Sequence, residues 1–137
     1  MARILGIDYG GKRTGLAVTD PLQIIASALD TVPTVDLLDY LKSYCSKEEV
    51  TDFVIGQPLS LDGSDTDATP LVKAFVESLT MAFPDKNIHF VDESYTSKLA
   101  MRSLIESGVK KKDRRKKGSL DKIAATIILQ DFMNERR

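Results

Sequence analysis

The chain has 137 residues, of which 42% are hydrophobic and 28% charged, and its formal net charge at pH 7 is -1. These values indicate one soluble globular domain over residues 1–137, and no apolar run is long enough to span a membrane. Asp8 interrupts the only early apolar stretch, so we expect no signal peptide, and the single cysteine, Cys45, favours the reducing cytoplasm. Because there is only one histidine, His89, any bound metal has to be held by oxygen ligands.

The first twenty residues predict a hairpin that presents a carboxylate. A strand over residues 3–9 contains Asp8, a glycine pair and the basic pair Lys12 and Arg13 follow, and a second strand covers residues 14–19. We expect glycine to supply a positive φ in this turn. Asp8 suits a metal ion or a phosphate at a sheet edge, and the basic pair suits an anionic backbone. The alternative, that Asp8 only caps the turn, is disfavoured because aspartate is a poor choice inside a strand.

Strands and helices alternate along the rest of the chain. The predicted elements are a strand at 24–31, a helix at 34–48, a strand at 52–56, a loop at 57–64, a helix at 68–82, a strand at 87–92, a helix at 96–106 and a helix at 120–134. Helical spacing assigns Leu71, Val72 and Phe75 to the apolar face of the second helix. The apolar face of the last helix consists of Leu120, Ile123, Ala124, Ile127, Ile128 and Phe132.

This order, βββαβαβαα, predicts an α/β fold of ribonuclease H type. The first three strands form an antiparallel meander, and helical crossovers add two parallel strands, which gives a mixed five-stranded sheet flanked by helices. We expect the first strand at the centre, with Asp8 at the carboxyl end of the sheet. The two later strands end beside it in Gly56-Gln57-Pro58 and Asp92-Glu93.

Four acids are candidates for one site at that edge: Asp8, Asp92, Glu93 and Asp121. Asp92 and Glu93 have an alternative role as the first acids of the next helix, and Asp121 has one as a helix N-terminal acid. Several carboxylates at one edge repel each other without a cation, and Mg²⁺ or Mn²⁺ relieves that repulsion through oxygen ligands. The cluster therefore predicts a metal site.

Residues 110–117 contain seven basic residues and one acid, which leaves 12 Lys and Arg against 19 Asp and Glu in the rest of the chain. The basic residues of this run are Lys110, Lys111, Lys112, Arg114, Arg115, Lys116 and Lys117. A dense basic patch on an acidic body predicts binding to a polyanion. The alternative is a solvated loop without a partner.

Together these motifs resemble the YqgF/RuvX family of Holliday junction resolvases and pre-16S rRNA nucleases, which has a ribonuclease H-like fold. The resemblance covers essentially the whole chain. It is carried by Gly6-Ile7-Asp8-Tyr9-Gly10, Lys12-Arg13-Thr14-Gly15, Thr19-Asp20-Pro21, Val54-Ile55-Gly56-Gln57-Pro58-Leu59, Asp62-Gly63, Val91-Asp92-Glu93, and Asp121 with Ala124-Ala125 and Ile127-Ile128-Leu129. One departure is Ser94, where the family usually has arginine, and Arg102 or Lys98 are the candidates to replace it.

The resemblance implies a metal-dependent nuclease whose catalytic and metal-binding residues are Asp8, Glu93 and Asp121. Mg²⁺ or Mn²⁺, as two ions, would lower the pKa of the attacking water and stabilise the leaving 3′ oxygen. Lys12, Arg13 and the basic run would hold the substrate backbone. The implied substrates are the 5′ end of pre-16S rRNA, in ribosome biogenesis, and four-way DNA junctions, and the residues do not decide between RNA and DNA.

Other interpretations stay open at this level. One is a non-catalytic nucleic-acid-binding or ribosome-assembly factor on a nuclease fold, and another is a nucleotide phosphate binder of the actin and sugar-kinase type, which needs two domains. We expect a monomer in preference to the homodimer that symmetric junction cleavage needs. His89 and Cys45 fit structural roles better than catalytic ones, whereas Tyr9 suits either stacking on a base or packing in the core.

Overall fold

The computed structural model describes residues 2–58, 69–93 and 117–135, and in them five strands and three α-helices. The strands are β1 (Arg3–Asp8), β2 (Arg13–Thr19), β3 (Ala26–Pro33), β4 (Val50–Pro58) and β5 (Asn87–Glu93). The helices are a 3₁₀ turn (Thr34–Asp36) that leads into α1 (Leu37–Lys47), then α2 (Thr69–Ala82) and α3 (Lys117–Glu135). None of these helices is both long and apolar enough to cross a membrane.

The five strands form one mixed sheet in the order β3-β2-β1-β4-β5. The two pairs on one side of the sheet, β1 with β2 and β2 with β3, are antiparallel, while β1 with β4 and β4 with β5 are parallel. This confirms the predicted fold class and the central position of the first strand. The β1, β4 and β5 strands therefore all end at one edge of the sheet, which we call the carboxyl edge.

Alternation along the strands divides the core into two layers. Leu5, Ile7 and Phe53 are buried on the face that α1 and α2 cover. Ile4 and Val54, one residue out of phase, are buried on the face that α3 covers. The face to which a residue of β1 belongs is thus set by its position in the strand.

Helix α3 runs away from the carboxyl edge. Its last turns reach the opposite end of the sheet, where Met133 and Asn134 line a shallow pocket with Ile24 and Ile25 of the β2–β3 connection. The beginning of α3 is therefore directed toward the edge at which β1, β4 and β5 end. This orientation decides where Asp121 lies.

Several predicted boundaries are wrong by a few residues. The third strand begins at Ala26 because the preceding residues form a turn that Asp20 organises, and the helix predicted from residue 34 begins as a 3₁₀ turn. The β4 strand extends to Pro58, so the predicted loop cannot begin at residue 57. The predicted loop residues 59–64, the predicted helix at 96–106 and basic residues 110–116 lie outside the described residues.

Two helix faces also differ from the prediction. Leu71 was assigned to the buried face of α2, but it is 52% exposed, whereas Val72 and Phe75 are buried. The α3 helix buries Ala125, Leu129 and Met133 in addition to predicted residues such as Ile128. A small side chain such as that of Ala125 and a flexible one such as that of Met133 carry little periodic signal, which is why the sequence pattern missed these two.

Candidate active site at the carboxyl edge

Asp8 is the last residue of β1 and pairs across to Gly15 of β2. It is half-buried, at the point where the central strand reaches the carboxyl edge. Asp8 follows Ile4 and Gly6 in the alternation of the strand, so it belongs to the face that α3 covers. The predicted position of this carboxylate at the end of the central strand is confirmed.

The turn after Asp8 needs glycine for a reason other than the predicted one. Neither Gly10 nor Gly11 has a φ in the left-handed region. A Cβ on Gly10 would lie 2.2 Å from the carbonyl oxygen of Arg13, whereas one on Gly11 would meet nothing within 4 Å. Gly10 is therefore required by the close approach of two backbone segments, and a positive φ plays no part.

Two threonines that the sequence analysis did not single out brace this hairpin. The Thr34 hydroxyl donates to the carbonyl oxygen of Gly10 at 2.5 Å, so the 3.0 Å bond between the two threonine hydroxyls must be donated by Thr14. Thr14 is fully buried and accepts a long bond of 3.5 Å from the amide of Gly10. The signal in the sequence was a threonine, rather than an aliphatic residue, at a buried strand position.

The basic pair of the hairpin is exposed, as a phosphate-binding role requires. Lys12 and Arg13 both lie on the surface, and the carbonyl oxygen of Lys12 accepts a 2.9 Å hydrogen bond from the amide of Thr34. This bond fixes the backbone of the hairpin against the start of α1. Both cations are thereby held near the carboxyl edge.

Close contact between β1 and α3 relates Asp121 to Asp8. A Cβ on Gly6 would lie 3.0 Å from Cβ of Leu129 and 3.1 Å from the carbonyl oxygen of Ala125, so the helix rests directly on the strand. Asp121 lies one turn before Ala125, on the side of the carboxyl edge. Asp8 lies two residues beyond Gly6 in the same direction. Positions 8 and 121 therefore both lie toward the carboxyl edge from this contact.

The helix also begins earlier than predicted. Because α3 starts at Lys117, Asp121 is its fifth residue and lies in the second turn, where the helix macrodipole has largely faded. The alternative role of Asp121 as a helix N-terminal acid loses its support. Lys117, the last residue of the basic run, lies within this helix and not in the predicted loop.

Glu93 is the last residue of β5 and pairs with Pro58. The register joins Ile7 to Ile55 and Ile55 to Phe90, so Glu93 lies two strands away from Asp8 and further out at the same edge. His89 and Val91 belong to the α3 face, and position 93 follows them in the alternation of the strand. Position 92 alternates to the other face.

The single histidine and the single cysteine lie away from this edge. His89 Nε2 is 3.1 Å from a carboxylate oxygen of Asp52, and its ring packs 4.7 Å from that of Phe132. Cys45 is half-buried near the end of α1, and burial raises the pKa of its thiol, which opposes nucleophilic reactivity. Tyr9 stacks on Phe75 with the ring centroids 4.9 Å apart, so it packs against the core while it stays only half-buried.

Within the described side chains, no three His, Cys, Asp or Glu residues lie close enough together to bind a metal ion. That set includes Asp8, but the side chains of Asp92, Glu93 and Asp121 are not part of it. What the fold supplies is the backbone arrangement: three acidic positions at one edge, two of them on strands and one on the helix above the sheet.

The chain is similar over nearly its whole length to several known proteins. A protein from Flavobacterium johnsoniae is 47% identical over all of this chain and 99% of its own length, and one from Amoebophilus asiaticus is 54% identical over 98% of this chain and 95% of its own; both carry the provisional name pre-16S rRNA nuclease. The fold is similar to that of T. thermophilus RuvC solved in complex with a Holliday junction substrate, with a TM-score of 0.59, 15% identity and coverage of 99% of this chain and 96% of that one.

The family model described as "RuvX: Holliday junction resolvase" matches residues 2–135. This match spans almost the entire chain, as do the two relatives. The chain therefore belongs to the RuvX family.

Proposed function

We propose that this chain, as a single ribonuclease H-like domain, is a divalent-metal-dependent nuclease that processes the 5′ end of pre-16S rRNA. Membership of the RuvX family and the shared name of the relatives support a nuclease of this kind. Because the ribosome is assembled in the cytoplasm, the proposal includes a cytoplasmic location. We propose a monomer, with four-way DNA junctions as the second substrate to be tested.

The observation that carries the proposal is the presence of three acidic positions at the carboxyl edge. Asp8 and position 93 share the face that α3 covers, and position 121 lies in the second turn of that helix, which begins toward this edge. Carboxylates gathered at one edge of a sheet repel each other unless a cation lies between them. We therefore assign Asp8, Glu93 and Asp121 as the catalytic and metal-binding residues.

The donor set fits Mg²⁺ or Mn²⁺. All three groups are carboxylates, which these hard cations prefer, and the one imidazole of the chain is held by Asp52 away from the edge. Two such ions, when bound, would supply an activated water and charge stabilisation for the leaving 3′ oxygen. Asp92 is left out of the set because its position alternates to the opposite face of the sheet.

The substrate backbone has several cationic partners around this edge. Lys12 and Arg13 are exposed on the hairpin that the threonine pair braces. The α1, α2 and α3 helices begin toward this edge, so the positive ends of their dipoles face an approaching phosphate. We assign Lys12, Arg13 and the basic run of residues 110–117 to contacts with phosphates, which position the substrate without reading its sequence.

Cleavage by an acid-to-amide series tests this function. The substrates are a short RNA that spans the 5′ junction of precursor 16S rRNA and a synthetic four-way DNA junction, each with Mg²⁺ or Mn²⁺. Asp8→Asn, Glu93→Gln and Asp121→Asn are each expected to reduce cleavage by at least about a hundredfold, since each removes one charged ligand. Substrate binding is expected to persist.

Asp92→Asn is the matched control, because it makes the same chemical change one residue from Glu93. We expect it to retain cleavage within a few-fold of the wild type. Binding of both substrates by the wild type without cleavage under either metal would contradict the nuclease and favour a non-catalytic assembly factor. Cleavage of the DNA junction alone would assign the enzyme to branched DNA and contradict the rRNA proposal.

A further inference from the structure

A groove opens at the carboxyl edge on the face of the sheet opposite α3. It has a volume of about 280 Å³ and lies between the start of α1 and the first turns of α2. Its lining is mainly apolar, from Tyr9, Val35, Leu38, Leu71 and Phe75. This volume is near the lower limit of about 300 Å³ for pockets that bury drug-sized ligands, so a small planar group fits it better than a folded partner.

The inner side of the groove is an ordered aromatic pair. The rings of Tyr9 and Phe75 are stacked with an interplanar angle of 25°, Phe75 is buried, and Tyr9 is only half-buried. An aromatic surface of this kind offers a stacking platform to any nucleobase, because every base has a π-face. Since Phe75 already fixes the ring of Tyr9, little ordering is needed when a ligand arrives.

The mouth of the groove exposes apolar side chains beside the proposed nuclease site. Val35 is 91% exposed and Leu71 is 52% exposed, on opposite walls. Exposed apolar groups at a concave site mark a place where a ligand removes them from water. A base that enters between them would bury both and reach the aromatic pair.

The position of the groove relative to Asp8 indicates which ligand it takes. Asp8 and Tyr9 are consecutive in the chain, with Cα atoms about 3.8 Å apart, and they belong to opposite faces of the sheet. A nucleic acid strand that crosses the carboxyl edge with a phosphate at Asp8 therefore brings a neighbouring nucleotide to Tyr9. The amide of Thr34, which lines the groove, donates to the carbonyl oxygen of Lys12, so the hairpin that carries Lys12 and Arg13 adjoins the groove.

We propose that this groove binds one unpaired nucleobase next to the phosphate that is cleaved. The inference rests on the proposed nuclease function and narrows its substrate to nucleic acid that is single-stranded, or can be unpaired, at that nucleotide. A base held in a duplex cannot enter, because its face and pairing edge are already occupied. Selection would depend on strand flexibility and not on base identity, since stacking tolerates all four bases.

The test compares two substitutions on α2. Leu71→Glu places a charge in the apolar mouth of the groove, whereas Met81→Glu makes the corresponding change at an 84% exposed position near the other end of the helix. The probe is a short single-stranded RNA with 2-aminopurine placed at each position in turn, whose fluorescence falls when it stacks. The wild type and Met81→Glu are expected to quench one position, and Leu71→Glu is expected to abolish that quenching and weaken binding about tenfold.

A second experiment measures the cleavage rate of the same RNA after removal of the base at the quenched position. The abasic RNA is expected to be cleaved about tenfold more slowly by the wild type, with no further loss in Leu71→Glu, because both changes remove the same interaction. Equal quenching in Leu71→Glu and Met81→Glu would contradict the proposal that the groove binds a nucleobase. Additive losses of cleavage rate on the abasic RNA would contradict it as well. So would a change of oligomeric state in Leu71→Glu alone, which would assign the groove to a second copy of the chain.

The outcomes keep this inference separate from the proposed function. If quenching depends on Leu71 but the protein cleaves neither substrate, the groove binds a base and the proposed nuclease activity is contradicted. If cleavage is unaffected by Leu71→Glu and by removal of the base at every position, the protein is a nuclease and base binding in the groove is contradicted.

Discussion

At the scale of single residues, Asp20 shows how one carboxylate organises a connection. One of its oxygens accepts hydrogen bonds from the amides of Ile24 and Ile25 at 2.7 and 2.8 Å, and the other accepts one from Leu22 at 3.2 Å. The turn places Gln23 at a φ of 58°, a left-handed conformation that a non-glycine residue seldom adopts. These bonds fix the connection between β2 and β3 and delay the start of the third strand to Ala26.

The hydrogen bonds of Asp20 make its contribution to stability depend on pH. The amide of Ile25 above all, with those of Ile24 and Leu22, lowers the pKa of Asp20 below its ordinary value of 3.8, and partial desolvation opposes this. A carboxyl whose pKa is lowered by folding stabilises the protein above its unfolded pKa, and this stabilisation is lost as the pH falls through the folded pKa. The acid therefore stabilises the native state at neutral pH.

We expect Asp20→Asn to be less stable than the wild type at pH 7 and the difference to shrink as the pH is lowered below about 3.8. Urea denaturation between pH 7 and pH 2 measures both proteins, and the difference between the two curves isolates this one group from the other acids. A difference that is constant with pH, or that grows toward low pH, would show that the amide bonds do not favour the ionised form.

The sequence could predict residues whose chemistry is unusual for their surroundings, such as a carboxylate at the end of an apolar strand. Asp8 was found in this way. It could not predict the role of Gly10, because the contact that requires glycine there is made with the backbone of Arg13, and no side-chain pattern records it. It also missed Leu71, since a helical pattern assigns a face but cannot say where the covering element ends.

At the scale of elements, the placement of α3 on β1 decides whether the proposed site can form. The helix approaches the central strand at Gly6, where the absence of a side chain lets Ala125 and Leu129 come close to the backbone. The same contact fixes the part of α3 that follows position 121 against β1. A change at this glycine is buried under the helix and two residues away from the proposed catalytic acid.

We expect Gly6→Ala to destabilise the protein by about 1–3 kcal/mol, the usual cost of overpacking, because its Cβ would lie 3.0 Å from Leu129. Cleavage at a temperature where the variant stays folded is expected to fall as well, since the helix that carries Asp121 is displaced. Gly11→Ala is the control, because a Cβ there meets nothing within 4 Å. If both variants unfold at the same urea concentration as the wild type, the close packing of α3 on β1 is refuted.

The type and sequence of the strands and helices could be predicted from the amino-acid pattern. Apolar runs with turn residues between them predicted strands, and helical crossovers after the third strand predicted two parallel strands beside a central first strand. The observed order β3-β2-β1-β4-β5 agrees with this arrangement. Boundaries were less accurate, because hydrogen bonds such as those of Asp20 set where a strand begins. The start of α3 at Lys117 was missed since the basic run looks like a loop by composition.

At the scale of the whole molecule, charge is separated along the chain. Residues 110–117 carry seven basic residues and one acid, a net charge of +6, and the other residues carry 12 Lys and Arg and 19 Asp and Glu, a net charge of -7. The near-neutral total hides this division. A polyanion is repelled by the acidic body and attracted to the basic run, so the run would govern both affinity and orientation of the bound strand.

We therefore expect Lys111→Gln/Lys112→Gln to weaken the binding of single-stranded RNA and to reduce its dependence on salt. Each phosphate contact contributes about 0.7 to the slope of log K against log salt, so removing two cations should lower the slope by about 1.4. Lys42→Gln/Lys47→Gln is the matched control, because it removes two exposed lysines from the middle and the end of α1, which runs away from the carboxyl edge. Fluorescence anisotropy across a series of salt concentrations gives the slopes. An unchanged slope in the first variant would mean that Lys111 and Lys112 do not contact the backbone of the nucleic acid. An equal loss in both variants would mean that the run acts through net charge alone.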